Sequence, residues 1–211
     1  MKTIVIFQLI LVASSHFTPS NVSIITWTVI SHSKLFKLIA PYENMFKYWS
    51  TRALEIEPLN YREAILNYYN LIHELILYNR IEEASKYLAI MLTLILKVKG
   101  YSEDLGPKIV PILDSLNWAA ITIYNDNSKE IIDYWLNYNP NSIEDLALTY
   151  VSICLSLIEK LPVNSFTRIL FTPKLREMYF ASLIAIIATS AYFVAKKASE
   201  EIGGVKYEGY R

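Results

Sequence analysis

The chain has 211 residues, 53% of them hydrophobic, with only 5 glycines and 8 prolines. That suits one sizeable domain with appendages and excludes a loop-rich or disordered chain. Twenty basic residues balance twenty acidic ones, and the dense basic stripe that holds a phosphate backbone is absent, which argues against a nucleic-acid partner. The signs are unevenly placed: residues 34–52 carry four basic side chains and one acid, whereas residues 55–159 carry fifteen acids and seven basic side chains.

At the N-terminus, Met1, Lys2 and Thr3 precede an apolar run from Ile4 to Ala13 and then Ser14 and Ser15. Residues 1–15 therefore read as a signal peptide or N-terminal hydrophobic segment, too short to span a bilayer alone; the alternative is a buried first helix or strand. Residues 16–57 follow as an N-terminal region. Within it Ile25, Trp27 and Val29 alternate with Thr26 and Thr28, which predicts a short strand over 22–30. Asn21, Val22 and Ser23 form a glycosylation sequon, usable only if the chain is exported.

From residue 58 helical periodicity dominates, and 58–175 reads as a domain of helices. The first is expected from about Asn60 to Asn79, with Ile65, Tyr69, Ile72 and Ile76 on one face. A break at Asn79 and Arg80 precedes a second, Ile81 to Lys99, with Ala84, Leu88, Met91, Ile95 and Val98 inward and Gly100 as its stop. Residues 102–111 read as a loop, followed by a helix from Ile112 to Tyr124. Ser128 caps a fourth helix, Lys129 to Tyr138. Ser142 and Asp145, spaced as in a capping box, open a fifth that ends before Pro162. The one cysteine, Cys154, lies inside this fifth apolar run and is expected to be buried.

Two junctions carry a family resemblance. Residues Leu77 to Leu88, with Ala84 at a small-residue position, look like the turn between the helices of a tetratricopeptide-type repeat, and Tyr138 to Asp145, with Pro140, look like its end. Over about residues 60–161 the chain resembles tetratricopeptide-like helical hairpins, although Asn79 stands where the family has glycine. The corresponding junctions, Ala84 and Ser128, also lie further apart than the family's repeat of about 34 residues. The resemblance implies an all-α fold of antiparallel helical hairpins, repeat-like or as an irregular bundle, and a protein or peptide partner on a concave face.

The longest uncharged stretch comes last. Met178 to Ala195 lies between Glu177 and Lys196 and contains no charged side chain. At about 1.5 Å per residue it nearly crosses a hydrocarbon core about 30 Å thick, so 176–197 reads as a transmembrane helix and 198–211 as a polar tail. Ala181, Ala185, Ala188 and Ala195 form a small-residue stripe suited to helix packing, including packing between copies in a homo-oligomer. Tyr179 and Tyr192 sit at the two ends, where rings suit the membrane interface. The alternative is a core or oligomer-interface helix of a soluble, cytoplasmic protein, which Ser182, Thr189 and Ser190 favour. Flanking charges do not decide the orientation: Arg168, Lys174 and Arg176 oppose Lys196, Lys197, Lys206 and Arg211. A cleaved signal would put the helical domain outside the cytoplasm.

Chemistry-bearing patterns are scarce. His16, His32 and His73 are far apart, and His73–Glu74 lacks the second histidine of a zinc-protease helix. Glu63, Asn67, Asn70 and Glu74 line one helix side, where a solvated polar face is expected. No glycine-rich phosphate loop or nucleophile motif occurs, so no cofactor, metal or catalytic residue is assigned. The candidate partner-binding residues are aromatic: Tyr61, Tyr68, Tyr69, Tyr134, Trp135 and Tyr138, with Tyr78 beside them, able to line a groove or to pack between hairpins. The expectation is a membrane-anchored helical interaction or scaffold protein without enzymatic activity. A soluble adaptor and an enzyme built from distant carboxylates and tyrosines remain as alternatives.

Overall fold

A computed structural model describes residues 19–163 and the helix formed by 173–203. All regular structure among the described residues is helical. The chain divides into two compact units, residues 1–163 and 164–211. The predicted signal segment, His16 and most of the tail lie outside the described residues.

The first unit opens with α1, Asn21–Ser31. This corrects the strand expected over 22–30. Ser20 caps the helix by accepting from the Ser23 N–H, while Thr26 and Thr28 return their hydroxyls to the carbonyls of Val22 and Ile24, both at 2.9 Å. The buried set Val22, Ile25, Thr26, Val29 and Ile30 has helical spacing. Tertiary burial outweighs the β preference of these branched side chains. The short α2, Phe36–Ile39, and a 3-10 turn lead to α3, Glu43–Arg52.

Helix α4, Tyr61–Leu77, is capped by Asn60, whose side chain accepts from Glu63 N. It ends in a Schellman turn: Arg80 N–H bonds Leu75 O at 2.8 Å and Asn79 N–H bonds Ile76 O at 3.1 Å. Asn79 takes the left-handed conformation this turn requires, with φ 59, and so replaces a glycine at modest strain. Helix α5, Ile81–Lys97, follows and packs on α4. Gly100, φ 75, then stops the chain's helical course.

The next segment differs from expectation. Helix α6 is Gly106–Ser115, earlier than the predicted 112–124. Pro107 sits in its first turn, where a missing N–H costs nothing. Leu116 is extended (ψ 138), so the helix ends there, and residues 116–127 are irregular apart from a 3-10 turn at Trp118–Ala120. Tyr124 N–H donates to Ser156 Oγ at 2.8 Å and pins this stretch. Helix α7, Ser128–Asn137, is capped one residue earlier than predicted, by an Asn127–Glu130 capping box. Helix α8, Ile143–Glu159, starts as expected at Ser142, which accepts from Asp145 N.

Two of these helices form the centre. Every residue from Leu88 to Leu96 in α5 and from Tyr150 to Ile158 in α8 is buried, as a helix apolar on all sides must be. Helix α5 packs against α1, α3, α4 and α8, and α8 against α1, α5, α6 and α7. Residues 21–52 thus share one core with the helices that follow. Lys97 Nζ donates to Leu54 O and Ile56 O at 2.7 and 2.8 Å, closing carbonyls after α3. Glu103 accepts from the N–H groups of Asn21 and Val22 at 3.0 and 3.3 Å, placing a carboxylate at the positive end of α1. Asn21 also lies against Gly106, where an added Cβ would be 2.1 Å from Asn21 Cβ. The sequon asparagine is therefore built into the α1–α6 contact, a poor acceptor for a bulky glycan.

The second unit contributes α9, Pro173–Gly203.

Candidate functional site

The aromatic residues singled out from the sequence separate into three environments. Trp135 is fully buried and its indole N–H donates to Ile95 O at 2.7 Å; Tyr69 is also buried, 6% exposed. These two belong to the core. Tyr68 stacks on Tyr87 of α5, with centroids 5.9 Å apart. Tyr61 donates to Glu57 at 3.0 Å and Tyr78 is exposed at the end of α4.

Only Tyr134 and Tyr138 of the predicted set meet at one surface. Tyr134, 44% exposed, has its ring 5.4 Å from that of Tyr124 and 5.6 Å from that of Tyr138. Asp133, Tyr134, Asn137 and Tyr138 line a shallow cleft of about 460 Å³ on α7. Arg62 of α4 grips Asp133 with two hydrogen bonds, 2.5 and 2.9 Å, and so fixes one edge. Lys99 Nζ holds the other by donating to Leu136 O and Tyr138 O at 3.0 and 2.5 Å. Tyr138 O–H donates to Asp145 at 2.6 Å. Tyr124, Arg62 and Asn137 were missed from the sequence. Arg62 and Asp133 are 71 positions apart, so no local pattern links them.

The titratable groups at this surface are shifted by their neighbours. The Arg62 hydrogen bond holds Asp133 below the usual carboxylate range. Asp145 is held low by the Tyr138 hydroxyl and then by the Asn141 N–H. Burial, with a hydrogen bond donated to Tyr134, pushes Tyr124 up to about 12. At neutral pH the two carboxylates therefore stay ionised and the Tyr124 phenol stays protonated.

The polar row of α4 opens onto a second cleft, about 430 Å³, lined by Tyr69, Asn70, His73, Glu74 and Lys160. Lys160 Nζ donates to Asn125 O at 3.3 Å. Among the described residues no three His, Cys, Asp or Glu side chains group closely enough to hold a metal ion. His32 is exposed and stacks on Trp118 at 3.9 Å. Cys154 is buried, and burial pushes its thiol up, away from reactivity.

In α9 the 21 residues Glu177–Lys197 are long and apolar enough to cross a membrane, and none of the window is buried. Ala181, Ala185, Ala188 and Ala195 are all exposed. Two of the hydroxyls that count against a span are satisfied within the helix: Ser182 donates to Met178 O and Thr189 to Ala185 O, both at 2.8 Å. Neither hydroxyl is left without a partner. No protein-family model, curated protein or solved structure matches the chain. Fold and surface alone define the class: an all-helical body followed by one helix of membrane-crossing length.

Proposed function

We propose that the chain is a membrane-tethered helical interaction protein whose α9 spans the bilayer and whose body binds a protein or peptide partner. One observation carries the tether: an apolar helix of 21 residues with no part of it buried. Such a surface is costly in water and stable in hydrocarbon, at roughly 25 cal/mol per Å² of apolar area removed from water. The body is read as antiparallel hairpins, α4–α5 and α7–α8, stacked on one another; contacts of α4 with α7 and of α5 with α8 support this. The partner surface is assigned to the Tyr124–Tyr134–Tyr138 cluster, because its exposed ring and shallow cleft sit on a frame held rigidly by Arg62 and Lys99. With residues 1–15 read as an export signal, the body lies on the extracytoplasmic side.

Alkaline extraction of membranes from cells making the full chain tests the tether. Retention in the carbonate-resistant pellet, released only by detergent, is expected. Full release into the soluble fraction would leave α9 as an oligomer interface of a soluble adaptor.

A further inference from the structure

The outward face of α3 and its two flanks gather aromatic rings and cations that the partner surface on α7 does not use. Tyr48 is 41% exposed, with the Arg52 guanidinium carbon 5.6 Å from its ring centroid. On the α1 flank, Trp27 lies 5.4 Å from Phe46 and 6.1 Å from Phe36, itself 39% exposed, and Lys47 Nζ sits 5.7 Å over the Trp27 ring. On the α5 flank, Lys86 Nζ sits 4.1 Å over Trp49 and 5.3 Å from Tyr87. Glu43 and Glu55 pair with Lys47 and Arg52. Among the described residues no carboxylate pairs with Lys86 or with the exposed Lys37. Residues 34–52 carry four basic side chains against one acid, the reverse of the acidic stretch that follows. Lys34 among them pairs with Glu159 at 3.4 Å, so the cations around this face without a carboxylate partner among the described residues are Lys37 and Lys86.

Half-exposed Trp and Tyr rings beside Lys and Arg form the residue set that settles in a lipid headgroup layer. There the ring bodies meet the acyl boundary and the cations meet phosphate and carboxylate groups. Tyr48, Lys47 and Arg52 project from one helix rather than lining a cleft, which suits a fluid layer better than a peptide that needs walls. We infer that the α3 face rests on the anionic headgroup layer of a bilayer, an inference that rests on the membrane-tethered reading above. Tethering by α9 would keep lipid at high effective concentration beside this face, so a modest charge excess suffices.

The four tryptophans are Trp27, Trp49, Trp118 and Trp135, and α9 contains none. Tryptophan emission from the full chain therefore reports on the body alone. The test reconstitutes the full chain in phosphatidylcholine vesicles with and without phosphatidylserine, the acyl chains brominated near the headgroup to quench nearby rings. Expected are stronger quenching with phosphatidylserine, its loss in a Trp27→Phe/Trp49→Phe variant, and a weaker phosphatidylserine response in Lys37→Glu/Lys86→Glu, which keeps the rings. Quenching that persists without Trp27 and Trp49 would overturn the assignment of this face. Carbonate-resistant retention in vesicles without quenching would overturn this inference and keep the tether, leaving the face for an acidic protein partner. Quenched protein that carbonate strips from the vesicles would keep the inference and overturn the tether. Absence of any vesicle association would overturn both.

Discussion

In α8 every residue from Tyr150 to Ile158 is buried, whereas in α9 no residue from 177 to 197 is buried. Yet residues 150–158 and 178–195 are both uncharged and apolar around the whole helix. Hydrophobicity on all sides thus requires only that a helix avoid water. The two helices differ in what their polar groups bond. Those of α8 reach its neighbours: Tyr150 O–H donates to Leu92 O at 3.2 Å, and Ser156 Oγ accepts from Tyr124 N at 2.8 Å while donating to Ser152 O. Ser182 and Thr189 of α9 bond to their own helix. Ser156 thus ties α8 to a neighbouring segment as well as to its own turn, whereas the Ser182 and Thr189 bonds stay within α9.

The sharpest way to break this comparison is to put one charge in each helix. Ile153→Lys should cost the body several kcal/mol, a large share of a typical domain's stability, because the ammonium would be buried without a partner. Loss of the cooperative urea transition would register it. Ile186→Lys should leave that transition unchanged in detergent but weaken membrane retention, at about 2.5–3.5 kcal/mol for a lysine near the bilayer centre. Equal effects on the urea midpoint would remove the distinction between the two helices.

A second pair contrasts neighbours on α7. Trp135→Ala should destabilise by about 3–5 kcal/mol through the lost packing and the orphaned Ile95 carbonyl. Tyr134→Ala, half-exposed, should stay within about 0.5–1 kcal/mol. Thermal unfolding of the two variants side by side would show whether the aromatic set divides into core and surface as described.

That division was not legible in the sequence, where Tyr134 and Trp135 looked alike as members of one aromatic cluster. Their separation depends on α5, whose Ile95 carbonyl receives the indole 40 positions away. Legible features were those set by local rules: the Ser142 cap, the glycine stop after α5, the buried Cys154 and the long uncharged run of α9. Residues 22–30 were misread because alternating branched and hydroxyl residues satisfy a strand pattern and a helix face together. Only the α3 and α6 contacts decide between them. Likewise 102–111 reads as a loop because Gly106 and Pro107, which start the helix, are also turn formers, and Pro111, a helix breaker by local rules, lies inside it.

Gly106→Ala tests the contact of α1 with α6. The new methyl would meet Asn21 Cβ at 2.1 Å, so about 1–3 kcal/mol of destabilisation is expected from overpacking, read as a lower urea midpoint. An unchanged midpoint would place α1 elsewhere.

The smallest expected effect concerns pH. Asp133 has a folded-state pKa below its unfolded value, chiefly through the Arg62 hydrogen bond. Its contribution is fully present above the unfolded pKa and is lost as pH falls through the depressed folded one. Asp133→Asn should lower the melting temperature slightly at neutral pH and converge with the parent in acid, so that the acid side of the profile flattens; the effect stays small because the pair is exposed. Flattening on the alkaline side instead would point to another group.

The most direct measurement uses a photoactivatable carbene carried on lipid acyl chains, with the full chain in native membranes. Peptides covering 177–197 should take up the label and those covering 143–159 should not. Label in 143–159, or none in 177–197, would contradict the assignment of one apolar helix to the core and the other to lipid.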